Sequence, residues 1–254
     1  MLFRSEGVSS YEAGEVWHLL DTRMHMPITK IRMNNYSSAK LDTYNALVMV
    51  SGKYSQLDSL QMQKLKKWTA KGNTLITIAG GSKWVIDKKI VKESLTKKET
   101  AKEKENKDKK ENIDTKLGQV AKRLPYVEAS EHLGRERLGG AIFEVDLDIT
   151  HPLGFGYRSS KLPVYKNNLV FLAPSKNPYA TVAKYTENPH IDGFISENNL
   201  EKFIKPSASI LVSPIGRGRV VLFADNPNFR GAWYGANKLF LNALFLGGEI
   251  SVPK

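Results

Sequence analysis

A three-layer α/β fold, with a mostly parallel sheet and helices on both faces, is predicted by three features of the chain. Residues 46–50 (Ala-Leu-Val-Met-Val) and 74–79 (Thr-Leu-Ile-Thr-Ile-Ala) are short, largely apolar runs, the pattern of strands buried on both faces. Between them, Leu57, Leu60, Leu65 and Trp68 recur at helical spacing, and Gly72 follows as a C-terminal stop. Strand, helix and strand joined by short loops form a βαβ unit, whose right-handed crossover implies parallel pairing.

The remaining elements follow in order. Residues 141–149 alternate apolar and acidic side chains, as a half-buried strand does. Residues 163–165 and 169–173 read as further strands separated by Pro and Asn turns. Residues 209–213 and 219–224 flank a Pro- and Gly-bearing turn and form a hairpin. A closing amphipathic helix is expected over 234–246, with Leu239, Leu241, Ala243, Leu244 and Phe245 largely apolar. Trp17 and Trp84 are expected in the core, and Trp233 and Tyr234 at the core or its rim. The 254 residues are expected to form one domain over 1–254, with a Lys/Glu-rich insertion at about 88–122.

Charge narrows the function classes once it is mapped. The chain carries 38 Lys and Arg against 26 Asp and Glu, a formal +12. Twelve lysines and seven acids fall within 88–122, which therefore holds +5 of that total. Hardly an apolar residue lies between Leu95 and Ile113 of that stretch, so it reads as a solvated segment rather than a nucleic-acid tail. The other +7 is spread over the rest of the chain without aromatic interleaving, so no nucleic-acid partner is expected. No apolar run approaches the ~20 residues of a membrane-spanning helix, and the polar start at Arg4-Ser5-Glu6 is not a signal peptide.

Several chemistries drop out on residue type alone. With no Cys there is no thiol nucleophile and no thiolate metal site. The five histidines form no HExxH helix; His18-Leu19-Leu20-Asp21 is the nearest partial match, so no metal site and no cofactor are expected in this segment. No Walker loop or GxSxG elbow is present. Ser-x-x-Lys occurs at Ser37–Lys40 and Ser94–Lys97, and again at Ser251–Lys254, about as often as chance allows. In open parallel sheets ligands bind beyond the carboxyl ends of strands. That rule draws attention to Ser51, Gly52, Lys53 and Tyr54, and to Ala79, Gly80, Gly81 and Ser82.

The run from Tyr44 to Trp84 resembles the core βαβ of the class I glutamine amidotransferase-like fold, with flavodoxin-like relatives. In active members of that family one strand ends in a Gly-rich oxyanion turn. The next enters a sharp elbow carrying the catalytic Cys between glycines, and a late strand supplies a His-Pro-Glu. On that pattern Ser51-Gly52 takes the oxyanion turn and Ala79 the nucleophile position ahead of Gly80-Gly81. Asp225-Asn226-Pro227-Asn228 takes the His-Pro-Glu segment, with Asn226 and Asn228 at its degenerate positions. The proline survives while thiol, imidazole and carboxylate are lost, so the resemblance implies no amidotransferase catalysis.

A narrower resemblance rests on Gly14-Glu15-Val16-Trp17, on His151-Pro152-Leu153-Gly154-Phe155-Gly156-Tyr157, on 225–233, and on Asn242-Ala243-Leu244-Phe245-Leu246-Gly247. The set is similar to the amidotransferase-like domain found C-terminal to the peptidase domain in large bacterial zinc carboxypeptidases of the carboxypeptidase A type. It implies a non-catalytic accessory segment of a longer exported precursor, periplasmic or extracellular, with the signal peptide outside this segment. The peptidase domain of the same parent would be its partner and would hold the zinc, and a peptide or glycan would be the substrate it helps position.

Ser51, Gly52, Lys53, Tyr54, Gly80, Gly81, His151, Asn226 and Arg230 are the expected lining of the vestigial cleft, a polar pocket with one or two cations for a small anion or peptide terminus. Arg230 suits either a ligand carboxylate or an internal pair with Asp225, and His151 either a ligand or a backbone cap. Two further readings stay open. One is a small-ligand module for a sugar, amino acid or anion. The other is a hydrolase with a relocated nucleophile such as Ser51 or Ser82.

Overall fold

The protein is described by a computed structural model covering residues 1–96, 125–130, 134 and 137–253. Its chain order is β1 (Leu2–Phe3), α1 (Ser10–His18), β2 (Lys30–Ile31), β3 (Ala46–Met49), α2 (Ser59–Ala70), β4 (Thr74–Ile78), α3 (Gly80–Asp87), β5 (Ala141–Leu147), β6 (Lys161–Lys166), β7 (Thr181–Gly193), β8 (Ala208–Ile215), β9 (Gly218–Phe223) and α4 (Tyr234–Phe245).

One nine-stranded sheet runs β2-β1-β3-β4-β9-β8-β7-β5-β6. The pairs from β2 through β9 are parallel, and those from β9 through β6 antiparallel. Only β8 and β5 therefore run against the rest among the described strands. Alternation along the strands sorts the two cores. Val48, Ile76 and Val221 face α1 and α4 with Val16, Leu239 and Phe240. Leu47, Leu75 and Leu222 face α2 and α3 with Leu65, Trp68 and Val85. Three layers result, as the apolar runs predict.

Local signals explain most boundaries. Asp58 and Gln61 form a reciprocal capping box at the start of α2, each side chain accepting the other's backbone N–H. The hairpin closes on Gly216, at a φ of 59° that suits a residue without Cβ.

Four expectations need correction. Residues 169–173 form no strand; Leu172 makes single bridges to Leu95 and Ala208, because Val170 is held by the Asn168 and Lys166 side chains instead of a ladder. Trp17 is 39% exposed rather than in the core, with the Lys30 ammonium 3.3 Å from its ring centroid. Tyr234 is exposed as well. The insertion does not begin at 88, since Ile90 and Val91 are buried against the α2/α3 core; its remainder over 97–122 lies outside the described residues. No helix among the described residues is long and apolar enough to cross a membrane.

Candidate functional site

The carboxyl ends of β3, β4 and β9 lie side by side, which brings Ser51, Ala79 and Asn226 to one edge of the sheet. Ala79 turns the chain from β4 into α3 at φ 48° and ψ −112°, a backbone conformation that residues with a Cβ rarely adopt. Its N–H donates to the Phe223 carbonyl at 2.8 Å, which pins the elbow to β9. The Gly80 N–H donates to Ser51 Oγ at 2.9 Å. A Cβ at Gly81 would collide with the Met49 carbonyl, so glycine is what lets the elbow close on β3. The sharp strand-to-helix turn is thus built around an alanine that is only 1% exposed.

Helix α1 supplies two carboxylates to this edge. Glu12 Oε2 accepts from the Ser51 backbone N–H at 2.7 Å. Burial pushes the Glu12 carboxyl above its ordinary value; the Ser51 hydrogen bond opposes the shift and neighbouring Glu15 adds to it. One turn on, Glu15 accepts from Asn226 Nδ2 and from the Arg230 backbone N–H, both at 2.6 Å. Arg230 adopts a left-handed φ of 52°, its guanidinium 5.4 Å from the Phe229 ring. Phe229 stacks on Tyr165 with centroids 3.5 Å apart. Burial raises the Tyr165 hydroxyl pKa, and Arg230 works against the shift.

Asp225 sits beneath this edge, away from Arg230. Its carboxylate accepts from the Tyr185 hydroxyl at 2.6 Å and from Ser209, and pairs with the fully buried Lys166 ammonium at 3.3 Å. Desolvation pulls the Lys166 pKa down and pushes Tyr185 well up. The internal pair expected for Arg230 therefore does not form.

The expected cleft residues are not all together. Ser51, Gly80, Gly81, Asn226 and Arg230 share the edge. Tyr54 turns its ring into the core beside Phe3 and Trp84 and spends its hydroxyl on the Val50 carbonyl. Gly52 bridges to Val8, and Lys53 is exposed with its N–H on Gly7. Asn228 is wholly buried against Asn237. His151 stands apart as a cap, its Nδ1 accepting from the Leu153 N–H at 3.1 Å on a loop held by Asn242 of α4. Ser82 is buried between Thr77 and the Phe223 carbonyl. The residues missed by sequence reasoning are Glu12 and Lys166. Ser9-Ser10-Tyr11-Glu12 has the capping-box spacing that marks a helix start, and Ser9 does cap the Glu12 N–H. The Glu12 carboxylate, however, is diverted to Ser51.

This three-layer α/β fold is similar to that of several solved structures. The chain superposes on a Thermoplasma acidophilum protein assigned to GMP synthase with a TM-score of 0.55 at 12% identity, covering 98% of this chain and 94% of that one. PurLQS from Thermotoga maritima gives 0.56 at 11% identity, over 96% and 95%. A ThuA-like protein from Parabacteroides merdae gives 0.55 at 12% identity, over 100% and 91%. No protein-family model and no curated protein matches the chain.

Proposed function

We propose that this chain is a catalytically silent amidotransferase-like module that serves as an accessory domain of an exported bacterial zinc carboxypeptidase, packing on the peptidase or helping to position its peptide or glycan substrate. The observation that carries the silent part is the elbow itself. The strained turn remains at Ala79 with a buried methyl where a nucleophile would stand. The adjacent donors at Ser51 and Asn226 are already bound by Glu12 and Glu15. Acyl transfer needs an activated nucleophile and a free donor for the developing oxyanion; the Ala79 methyl is no nucleophile, and the Ser51 N–H and the Asn226 side chain are spent on Glu12 and Glu15. Burial of Ser82 weighs against a relocated nucleophile.

The carboxypeptidase context rests on the four short motifs, and their placement supports reading them as one unit. Glu15 of the first binds Asn226 and Arg230 of the third. Asn242 of the fourth donates to the Leu153 and Phe155 carbonyls of the second. Tyr157 of the second donates to the Gly235 carbonyl of α4.

The test uses the purified chain alone and mixed with a zinc carboxypeptidase catalytic domain from the same genome. Alone it should hydrolyse neither glutamine nor a C-terminal peptide bond; mixed, it should bind the peptidase saturably and change its KM for peptides. Turnover by the chain alone, or no association, overturns the reading.

A further inference from the structure

Strand order reverses between β1 and β3: the chain leaves β1 for β2 on one side and returns to β3 on the other. In open α/β sheets the crevice beyond the carboxyl ends at such a switch point is where ligands bind. Here it holds a cavity of about 640 Å³ lined by Arg4 after β1, Lys30 and Arg32 on and after β2, Ser10 at the start of α1, and Gln56 after β3. Glu6 is the one acid on its wall. Among the described residues no carboxylate lies within ion-pair distance of Arg4, Lys30 or Arg32, although Lys30 is steadied over the Trp17 ring.

Three cations around one acid repel one another unless an anion joins them. We propose that this cavity binds a small phosphate monoester of sugar-phosphate size. The cavity's net charge of about +2 matches a phosphate monoester, which is close to a dianion at neutral pH. Two guanidinium forks supply the paired donors that phosphate oxygens accept. The volume greatly exceeds a phosphate group, falls in the range of small-molecule sites, and leaves room for a polyol beside Ser10 and Gln56. The site uses none of the residues at the Ala79 edge, so it stands or falls independently of the accessory-domain reading.

Calorimetric titration with ribose 5-phosphate, ribose and citrate tests it, on the unaltered chain and on R4Q/R32Q. Saturable binding of ribose 5-phosphate is expected, with ribose inert and citrate weaker. The double variant should lose about tenfold or more in affinity, as expected for charge-assisted bonds, while K83Q, which changes an exposed lysine on α3, should lose none. No saturable binding, tighter binding of citrate, an unaffected double variant or an equal loss in K83Q overturns the proposal. Should the double variant fail to fold, amide shift mapping on the unaltered chain decides. Shifts at Arg4, Ser10 and Arg32 support the site; shifts confined elsewhere overturn it.

Discussion

Glu12 Oε2 lies 2.7 Å from the Ser51 backbone nitrogen, so a residue of α1 occupies the donor at the end of β3 from 39 positions away in sequence. The bond satisfies an N–H that would otherwise face the degenerate elbow. It also buries a carboxylate, and burial outweighs the hydrogen bond in setting its proton affinity.

A pH-dependent stability follows from that balance. The folded-state pKa of Glu12 is raised above its ordinary 4.5. The stability its proton contributes is therefore full below 4.5 and lost as pH rises through the folded value. Glu12→Gln keeps an oxygen for the Ser51 N–H and removes the charge. Urea denaturation at a series of pH values should show the variant at least as stable as the parent at pH 7, with the gap closing toward pH 4.5. A gap that opens on acidification contradicts the assignment.

Strain at Ala79 gives a prediction with an unusual sign. Removing a buried methyl ordinarily costs about 0.8 kcal/mol. A residue held at φ 48° and ψ −112° stores about 1–3 kcal/mol of backbone strain that glycine does not feel. Ala79→Gly should therefore be neutral or stabilising by up to about 2 kcal/mol, read as a shift in denaturation midpoint at unchanged m-value. Ala79→Cys tests the chemistry at the same position. It should remain inert toward glutamine, because Asn226 is no base and Glu12 and Glu15 hold the neighbouring donors. Measurable glutaminase activity in this variant would mean the edge is catalytically intact apart from one atom.

How much was legible in the sequence depended on whether a residue's neighbours in space were also its neighbours along the chain. Strands β3 and β4, helix α2 and the β8–β9 hairpin announce themselves by apolar runs, helical spacing and a glycine turn. Strand β7 does not. Its second half, Glu187-Asn188-Pro189-His190-Ile191-Asp192, is mostly polar and exposed, and pairs with β5 through register shifts. Helix α1 buries only Ala13 and Val16, too thin a stripe to stand out. At the site, the elbow was legible because Ala79-Gly80-Gly81 is contiguous. The Glu15–Asn226 bond spans 211 positions, and no local pattern reports it. Lys166 goes unnoticed for another reason: nothing along the chain sets a lysine at a strand end apart from a solvated one, yet here Asp225 and the Val170 and Ala224 carbonyls replace the water.

The buried Lys166–Asp225 pair should be costly to break and cheaper to remove whole. Lys166→Met leaves the Asp225 carboxylate buried without its cation and should cost about 3–5 kcal/mol. Asp225→Asn added to it removes the stranded charge, so the double variant should recover at least about 1 kcal/mol of that loss. Equilibrium denaturation of both single variants and the double closes the cycle. Strict additivity would mean that Tyr185 and Ser209 alone sustain Asp225, with Lys166 merely filling space.

His151 provides the opposite pH signature from Glu12. Its Nδ1 must be unprotonated to accept the Leu153 N–H. Burial lowers its folded pKa below the ordinary 6.5, with Asp148 opposing the shift. The stability carried by the neutral ring is present above 6.5 and lost as pH falls through the folded value. Asparagine is a good cap that does not titrate, and its side-chain oxygen can accept the same N–H. His151→Asn should therefore match the parent within about 1 kcal/mol at pH 8 and pull ahead of it as pH falls below 6.5. A parent that keeps pace with the variant down to pH 5 would show that the ring accepts its proton without losing the cap, and would remove the loop over α4 as a source of acid sensitivity.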